Sequence, residues 1–389
     1  MDIPSKRFVS FAALFLVYFM FSALPNTLLT PLLNSLGYSS QKIGFLYSIG
    51  AISGIILSTL IGKLADRYRR LKPFVLSALI CAMIITALLF DSSAASYMVF
   101  VLGIIAASFS RLLTGLLDSW AVESDPSTRT HYGAIRAFGS IGFALSLGVL
   151  VKFVDVYGFK AILPINMILG LVSIILIFIT PDVSPLKRVQ EKVRLKQLFT
   201  PLYSMWVLVF FFIFFVLGVE DMTITMKMIE LNASASQIAW LFSAQALFEL
   251  PIFLLGAKLT SRFGSVKILI VATLAMSAKM FLFSWSESIG IMLGMTFIQM
   301  LTFPLLMITS KHLIYDASHP SLKISGQLVG VALYGNLSGI LAPSIVGSLA
   351  SLTSATTSLF ALGVLLFIPL LITLGYFFLH KKQVLPQQQ

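Results

Sequence analysis

Gly62–Arg70 reads GKLADRYRR and lies between two long apolar runs, and a shortened form of it, KLTSRFG, occurs at Lys258–Gly264. Aligning Arg67 with Arg262 gives an offset of 262 − 67 = 195 residues, which is half the length of the 389-residue chain. A repeat at half the chain length indicates two halves built on the same plan.

The composition is that of a helical membrane protein. Hydrophobic residues make up 58% of the chain and charged residues 11%, and the mean hydropathy is +0.97. Apolar runs of about twenty residues, enough to cross about 30 Å of hydrocarbon, recur throughout and lack the alternation of barrel strands. We therefore predict an all-α polytopic membrane protein with twelve transmembrane helices, at about 8–33, 42–64, 73–90, 96–120, 133–153, 160–180, 204–229, 236–259, 267–285, 288–310, 324–349 and 356–379.

The charge distribution predicts the orientation. The formal net charge is +12, and most loop lysines and arginines fall on the side of the N-terminus, whereas the opposite loops hold only Lys42, Lys152 and Lys160. This bias is the positive-inside pattern and not a nucleic-acid patch. We expect an integral protein of the cytoplasmic (plasma) membrane with both termini in the cytoplasm.

The longest polar segment divides the predicted spans into two sets of six. We predict an N-terminal six-helix half at 1–180, a basic cytoplasmic linker at 181–203, and a C-terminal six-helix half with a short tail at 204–389. The single cysteine, Cys81, falls inside a predicted span, so we expect no disulfide and no cysteine-based metal site.

The Gly62–Arg70 segment resembles the loop signature of major facilitator transporters, which have two parallel six-helix halves. The resemblance implies a conformational latch made of Gly62, Asp66, Arg67 and Arg70. In it, the glycine allows close helix approach and the aspartate pairs with an arginine or a helix N-terminus. The second copy has Ser261 at the position of the aspartate, so its latch is expected to be weaker.

Ionisable residues inside the predicted spans are candidates for function, because they are costly in lipid and usually face the bundle interior. Arg111 and Asp118 are seven residues apart, which places them on one face of the fourth span. Arg136 lies early in the fifth span, and a helical hairpin can bring it to Asp118. Both groups lie near helix ends, so charges that reach back to the cytoplasmic surface are the alternative.

LDSWAVE at Leu117–Glu123 and YGAIRAFGSIGFAL at Tyr132–Leu145 resemble the lactose permease and oligosaccharide–proton symporter branch, and also the phenylpropionate permeases. The resemblance implies that Asp118 and Arg136 bind the solute. It places Phe143 where the family has a stacking tryptophan. We expect Arg111 to tune this pair. Asn26, after a proline in the first span, is a further substrate-binding candidate, with a helix–helix hydrogen bond as the alternative.

The same resemblance bears on coupling. Lys279 falls at the position of a ninth-helix arginine used for proton coupling, and Glu249 lies about one turn from an eighth-helix glutamate of the family. Glu220 and Asp221 fall in the region of its seventh-helix aspartates. The tenth span departs from the pattern, with Gln299 and Thr302 in place of the coupling histidine and glutamate. A structural pair of Glu249 with Lys279 or Lys227 is the alternative.

We expect a secondary active transporter that takes up a small organic solute, such as a sugar or oligosaccharide, by proton symport and alternating access. Uptake of an aromatic carboxylate or nucleoside, and proton-driven export of drugs or amphiphiles, are the alternatives. No nucleophile–base pair, metal cluster or nucleotide-binding loop is apparent in the sequence, so we expect no enzyme activity and no cofactor other than the coupling proton. We expect a lipid-embedded protein that works as a monomer and binds no nucleic acid.

Overall fold

The computed structural model describes residues 6–68, 70–91, 95–125, 128–129, 131–182, 195–319 and 322–384, and every regular element in this part of the chain is a helix. The longer helices of its first part are α1 (Lys6–Ser35), α2 (Ser40–Tyr68), α3 (Lys72–Leu89), α4 (Ser96–Ser124), α5 (Tyr132–Leu145), α6 (Val151–Tyr157) and α7 (Ile162–Ile179). Its second part contains α8 (Pro201–Leu217), α9 (Glu220–Glu230), α10 (Ala235–Phe263), α11 (Ser265–Trp285), α12 (Ile289–Gly294), α13 (Phe303–Ala317), α14 (Lys323–Gly330), α15 (Leu337–Leu352), α16 (Ala355–Leu365) and α17 (Phe367–Val384).

Eleven segments of the described residues are long and apolar enough to cross a membrane. The prediction of an all-α polytopic membrane protein is confirmed. The predicted eighth span, about 236–259, is the continuous 29-residue helix α10. At about 1.5 Å per residue this helix also exceeds the thickness of the hydrocarbon layer.

Several predicted spans are interrupted helices. The fifth passes through a π-helical turn at Ser146–Leu150, the tenth through a 3₁₀ turn at Met295–Leu301, and the eleventh through a π-helical turn at Val331–Asn336. The seventh span stops at Leu217 and resumes at Glu220. Such breaks are tolerated at membrane depth only where the freed backbone groups find partners or line a cavity.

The chain forms two compact units, residues 1–188 with 232–250, and residues 189–231 with 251–389. The first unit therefore includes the beginning of α10, which is anchored there by Ser243. Its hydroxyl donates to the carbonyl of Ala144 at 2.8 Å. The predicted linker at 181–203 lies mostly outside the described residues, so its role and the predicted domain boundaries stay predictions.

In the first unit, α1 packs against α4, α5 and α7 around an aromatic core. Phe11, Phe15 and Trp120 are almost fully buried in this core. The helix α5 comes so close to α1 that a side chain at Gly142 would clash with the backbone of Leu16. This contact fixes the position of the residues that follow Tyr132 along α5.

In the second unit, α11 packs against α13, α16 and α17. Phe283 of this helix is fully buried, and Ser277 donates a 2.8 Å hydrogen bond to the carbonyl of Gly363 in α16. A polar contact between spans of this kind holds two helices in register where apolar burial gives little net drive. The neighbouring residue Lys279 is thereby held at a fixed depth within the unit.

Candidate functional site

Polar and aromatic side chains of α1, α4 and α5 converge in the first unit. The Tyr132 hydroxyl hydrogen-bonds to Asp118, and both Asp118 and Arg136 lie within electrostatic range of that tyrosine. Tyr18 of α1 is within electrostatic range of the same two charges, and its hydroxyl lies 3.4 Å from Thr114. The structure thus brings the predicted residues Asp118 and Arg136 into one cluster.

Arg136 lies against an aromatic ring of α1. Its guanidinium carbon is 4.2 Å from the centroid of Phe19. Gly139, one helical turn later, makes this possible, because a Cβ there would lie 2.7 Å from Phe19 and 3.0 Å from Arg136 Nη1. A guanidinium on a ring face is held in place while its edge N–H groups remain able to donate.

Phe143, the expected stacking residue, packs against the apolar core of the first unit and is partly buried. The aromatic face next to Arg136 is that of Phe19, which the sequence analysis missed. Tyr18 and Tyr132 were missed as well. The YG dipeptide of the Tyr132–Leu145 motif was the available signal for Tyr132, whereas nothing in the local pattern distinguishes Phe19 from its aromatic neighbours.

Arg111 and Asn26 lie further along α4 and α1, two of the helices that form the cluster. The Arg111 side chain packs against Gly54 of α2. A Cβ added at this glycine would lie 3.2 Å from Arg111 Cδ. Asn26 donates a 3.0 Å hydrogen bond to Ser110, the residue before Arg111. The helix–helix hydrogen bond considered for Asn26 is therefore present, and it ties α1 to α4 near the second predicted cation.

A second cluster lies in the second unit around Lys279, which is fully buried. Its ammonium forms an ion pair with Glu220 and donates to the Gln299 side-chain oxygen. Thr302 donates to the same oxygen at 3.1 Å, and Asp221 lies within electrostatic range of Glu220 and Lys279. Three of the four residues proposed for proton coupling thus form one group.

Glu249 lies in the first unit, in the part of α10 that belongs to it, whereas Lys279 lies in the second. The carboxylate partner that the structure gives Lys279 is Glu220. Lys227 donates to the Thr356 hydroxyl at 2.6 Å. The expected alternative partners of Glu249 are therefore engaged elsewhere. Among the described residues, no three His, Cys, Asp or Glu side chains come together as a metal site.

The predicted latch lies at the end of α2. Arg67 and Arg70 are exposed, and the side chain of Asp66 lies outside the described residues. The role of Gly62 in the latch stays a prediction. A Cβ at Gly62 would have no heavy atom of a described residue within 4 Å, so the glycine is not required there by helix packing.

Known proteins match this chain over most of its length. Residues 10–339 match the MFS_1 like family. The chain is 26% identical to the maltose permease of Geobacillus stearothermophilus over 269 residues, 68% of each protein. It is 25% identical to the xanthosine permease of Escherichia coli (strain K12) over 136 residues, which is 34% of this chain and 32% of that protein.

Solved structures share the fold. A mutant of the nucleoside transporter NupG superposes with a TM-score of 0.79 at 15% identity, over 95% of this chain and 99% of the transporter. The human organic anion transporter MFSD10 superposes with a TM-score of 0.66 at 18% identity, over 96% and 100% of the two chains. All these relatives are named as permeases or transporters, none as an enzyme. The major facilitator resemblance is confirmed, whereas a specific place in the lactose permease branch is not shown. The chain is an integral membrane transporter of a small molecule, and it belongs to the MFS_1 like family.

Proposed function

We propose that this carrier takes up a small polyhydroxylated solute, a sugar, oligosaccharide or nucleoside, together with a proton. The observation that carries the proposal is the Arg136 guanidinium lying on the face of Phe19 beside Asp118. The permeases for maltose and xanthosine that this chain resembles add support, because both solutes named there carry a polyhydroxylated ring.

The chemistry of the cluster suits such a ring. A guanidinium donates two parallel hydrogen bonds to adjacent hydroxyl oxygens, and a carboxylate accepts from hydroxyl protons. The pair can therefore bind both the acceptor and the donor groups of a vicinal diol. An aromatic face packs against the apolar C–H side of the ring. In this proposal Asp118 and Arg136 hold the solute, Phe19 fixes the guanidinium, and Phe143 supports the helix from the core.

Coupling is assigned to the second unit. Glu220 and Lys279 share a buried ion pair, and protonation of such a carboxylate weakens its hold on the ammonium. Asp221 is the adjacent residue and lies within electrostatic range of Glu220 and Lys279, so in this proposal the coupling proton is carried by this pair of carboxylates. We assign Glu249 a supporting role in coupling, since it lies in the other unit. Exchange of the proton and solute between the two sides is proposed to proceed by alternating access.

The cellular setting is part of the proposal. The bias of lysine and arginine in the loops supports a cytoplasmic location of both termini in the plasma membrane. Each chain carries both clusters, so a monomer is sufficient for the proposed transport cycle.

A second candidate solute class is an anion, such as an aromatic carboxylate. Arg136 is a cation of the described cluster, and Arg111 lies seven residues before Asp118 on the same helix, α4. A substrate carboxylate would pair with a guanidinium through two hydrogen bonds. Export of amphiphiles has no specific observation in its favour, because the cluster is polar and charged.

Solute-driven proton flux in proteoliposomes tests the proposal. A panel of mono- and disaccharides, nucleosides and aromatic acids is added to vesicles that hold wild type or Arg136→Ala, with an internal pH dye. We expect one class of solute to drive proton entry in wild type and none to do so in the variant. Equal flux in both would contradict the site, and binding without flux would contradict proton coupling.

A further inference from the structure

The Lys279 ammonium is held by side-chain oxygens of two separate spans. It contacts the side-chain oxygens of Glu220 and Gln299. The Thr302 hydroxyl donates to the same Gln299 oxygen at 3.1 Å, and Asp221 adds a second carboxylate within electrostatic range. A carboxylate oxygen and an amide oxygen from two separate spans thus contact one buried positive charge, and a second carboxylate lies within electrostatic range.

Two helix interruptions border this cluster. In the seventh predicted span, α8 ends at Leu217 and α9 begins at Glu220. The tenth runs through the 3₁₀ turn Met295–Leu301, and Thr302 has φ −109° and ψ −96° before α13 begins. Interrupted transmembrane helices supply freed carbonyls and helix ends that coordinate coupling cations. Glu220 and Gln299, which contact the ammonium, thus both lie at helix interruptions.

We propose that this cluster is a monovalent-cation site of the class that holds sodium, and that Lys279 fills it with a cation tethered to the chain. The inference deepens the proposed function, since it names the group that takes the place of a coupling ion. It does not depend on which solute is carried. In wild type the ammonium excludes free sodium from the site, and removal of the lysine side chain opens the site to it.

Thermal unfolding of the purified protein without solute tests this inference. Lys279→Ala and wild type are titrated with NaCl against choline chloride at constant ionic strength, and in parallel with methylammonium chloride. We expect a saturable rise of the unfolding temperature of Lys279→Ala with both sodium and methylammonium, and none with wild type. Lys279→Met keeps the packing of the aliphatic stem, so we expect it to respond to sodium alone.

Two further variants serve as controls. Lys227 is buried in the same unit, but its ammonium donates to the Thr356 hydroxyl. Lys227→Ala therefore removes a buried lysine without exposing a carboxylate, and we expect no selective response to sodium. In the double variant Lys279→Ala with Glu220→Gln, the main anionic ligand is lost, and the apparent sodium affinity should fall by about tenfold or more.

The absence of a selective response in both Lys279 variants would overturn the inference and leave a structural ion pair. An equal response in Lys227→Ala or in the double variant would overturn it as well. If Lys279→Ala folds only when sodium or methylammonium is present during purification, that result supports the site, and Lys279→Met then provides the titration. The titration involves no solute, so a negative result in it would not bear on the proposed solute site. A negative result in the flux assay would likewise not bear on the proposed cation site.

Discussion

Arg136 is held between an aromatic ring and a carboxylate-bearing helix. The ring of Phe19 sits 4.2 Å from the guanidinium carbon, and Tyr132 links its own helix α5 to Asp118 of α4. Stacking restricts the guanidinium to a plane and leaves its N–H edge for other acceptors. The guanidinium is therefore held in one orientation by its surroundings.

Replacing Phe19 separates the two aromatic candidates. We expect Phe19→Leu to weaken solute binding by about 2- to 13-fold, because stacking and cation–π contacts contribute about 0.5–1.5 kcal/mol. Phe143→Leu, a matched change in the same unit, should weaken binding less. Equilibrium binding of the solute found by the flux assay provides the comparison. A larger loss in Phe143→Leu would place the stacking face where the family resemblance put it.

The buried pair of the second unit makes a prediction about stability. Glu220 is 3% exposed and Lys279 is 0% exposed, so neutralising the carboxylate leaves an ammonium buried without its anion. We expect Glu220→Gln to lower the free energy of unfolding by about 3–5 kcal/mol.

Glu230→Gln is the matched control, because Glu230 is exposed and accepts from the Ala355 N–H at 2.8 Å. We expect Glu230→Gln to lower the free energy of unfolding much less than Glu220→Gln does. Chemical unfolding in detergent micelles measures the free energy of unfolding of both variants. Equal losses would show that the buried ion pair contributes no more to stability than the exposed carboxylate does.

At the scale of the element, α1 and α5 depend on one close contact. A Cβ at Gly142 would meet the backbone of Leu16, which cannot move as the end of a flexible side chain can. We expect Gly142→Ala to destabilise the protein by about 1–3 kcal/mol. Gly115→Ala is the control, since a Cβ there has no heavy atom of a described residue within 4 Å.

Because alanine is the better helix former, Gly115→Ala should be neutral or slightly stabilising. Thermal melts of the two variants decide between these outcomes. A loss of stability in Gly115→Ala that equals the loss in Gly142→Ala would mean that the close approach to α1 is not the cause.

The ends of α3 and α7 cap each other. The Asp182 carboxylate accepts from the N–H groups of Leu71 and Lys72 at 3.1 and 3.2 Å. In return, the Lys72 ammonium donates to the carbonyls of Phe178 and Thr180 at 2.7 and 3.1 Å. Anions at helix N-termini and cations at C-termini are both favourable, so each charge stabilises the other helix.

Removing one of these caps tests the arrangement. We expect Asp182→Ala to lower the free energy of unfolding by about 0.5–2 kcal/mol, the usual cost of a lost N-terminal cap. Asp155→Ala removes a carboxylate that accepts one longer hydrogen bond, 3.3 Å from Ser236, and should cost less. If the two variants melt at the same temperature, the double acceptance by Asp182 contributes nothing.

On the scale of the whole molecule, the length of the apolar runs predicted the helical membrane fold. A segment that crosses lipid must satisfy its own backbone hydrogen bonds, and a single long run does so as a helix. The half-length repeat and the GKLADRYRR motif predicted the major facilitator plan. The breaks at Gly218 and Met295–Leu301 were not predicted, because hydropathy does not indicate where a helix ends and begins again within an apolar run. The short connection between α4 and α5 predicted that Asp118 and Arg136 come together.

Other parts of the site could not be predicted. Phe19 and Tyr18 reach the cluster from α1 through tertiary packing, which one sequence does not encode as a local pattern. The Lys279–Glu220 pair joins residues 59 apart in the chain. Several acidic partners were available to that lysine by charge alone, and only the structure distinguishes among them.

Equilibrium binding of the transported solute to purified wild type, Arg136→Ala and Arg129→Ala tests the central claim most directly. Arg129 is exposed and its Nε donates to the Val122 carbonyl at 3.2 Å, so its removal controls for lost charge. Losing a charged hydrogen-bonding partner costs about 2–5 kcal/mol, or about 30-fold or more in affinity. We predict a loss of that size for Arg136→Ala and affinity within about twofold of wild type for Arg129→Ala. Unchanged binding in Arg136→Ala, with its fold intact by thermal melt, would contradict the account.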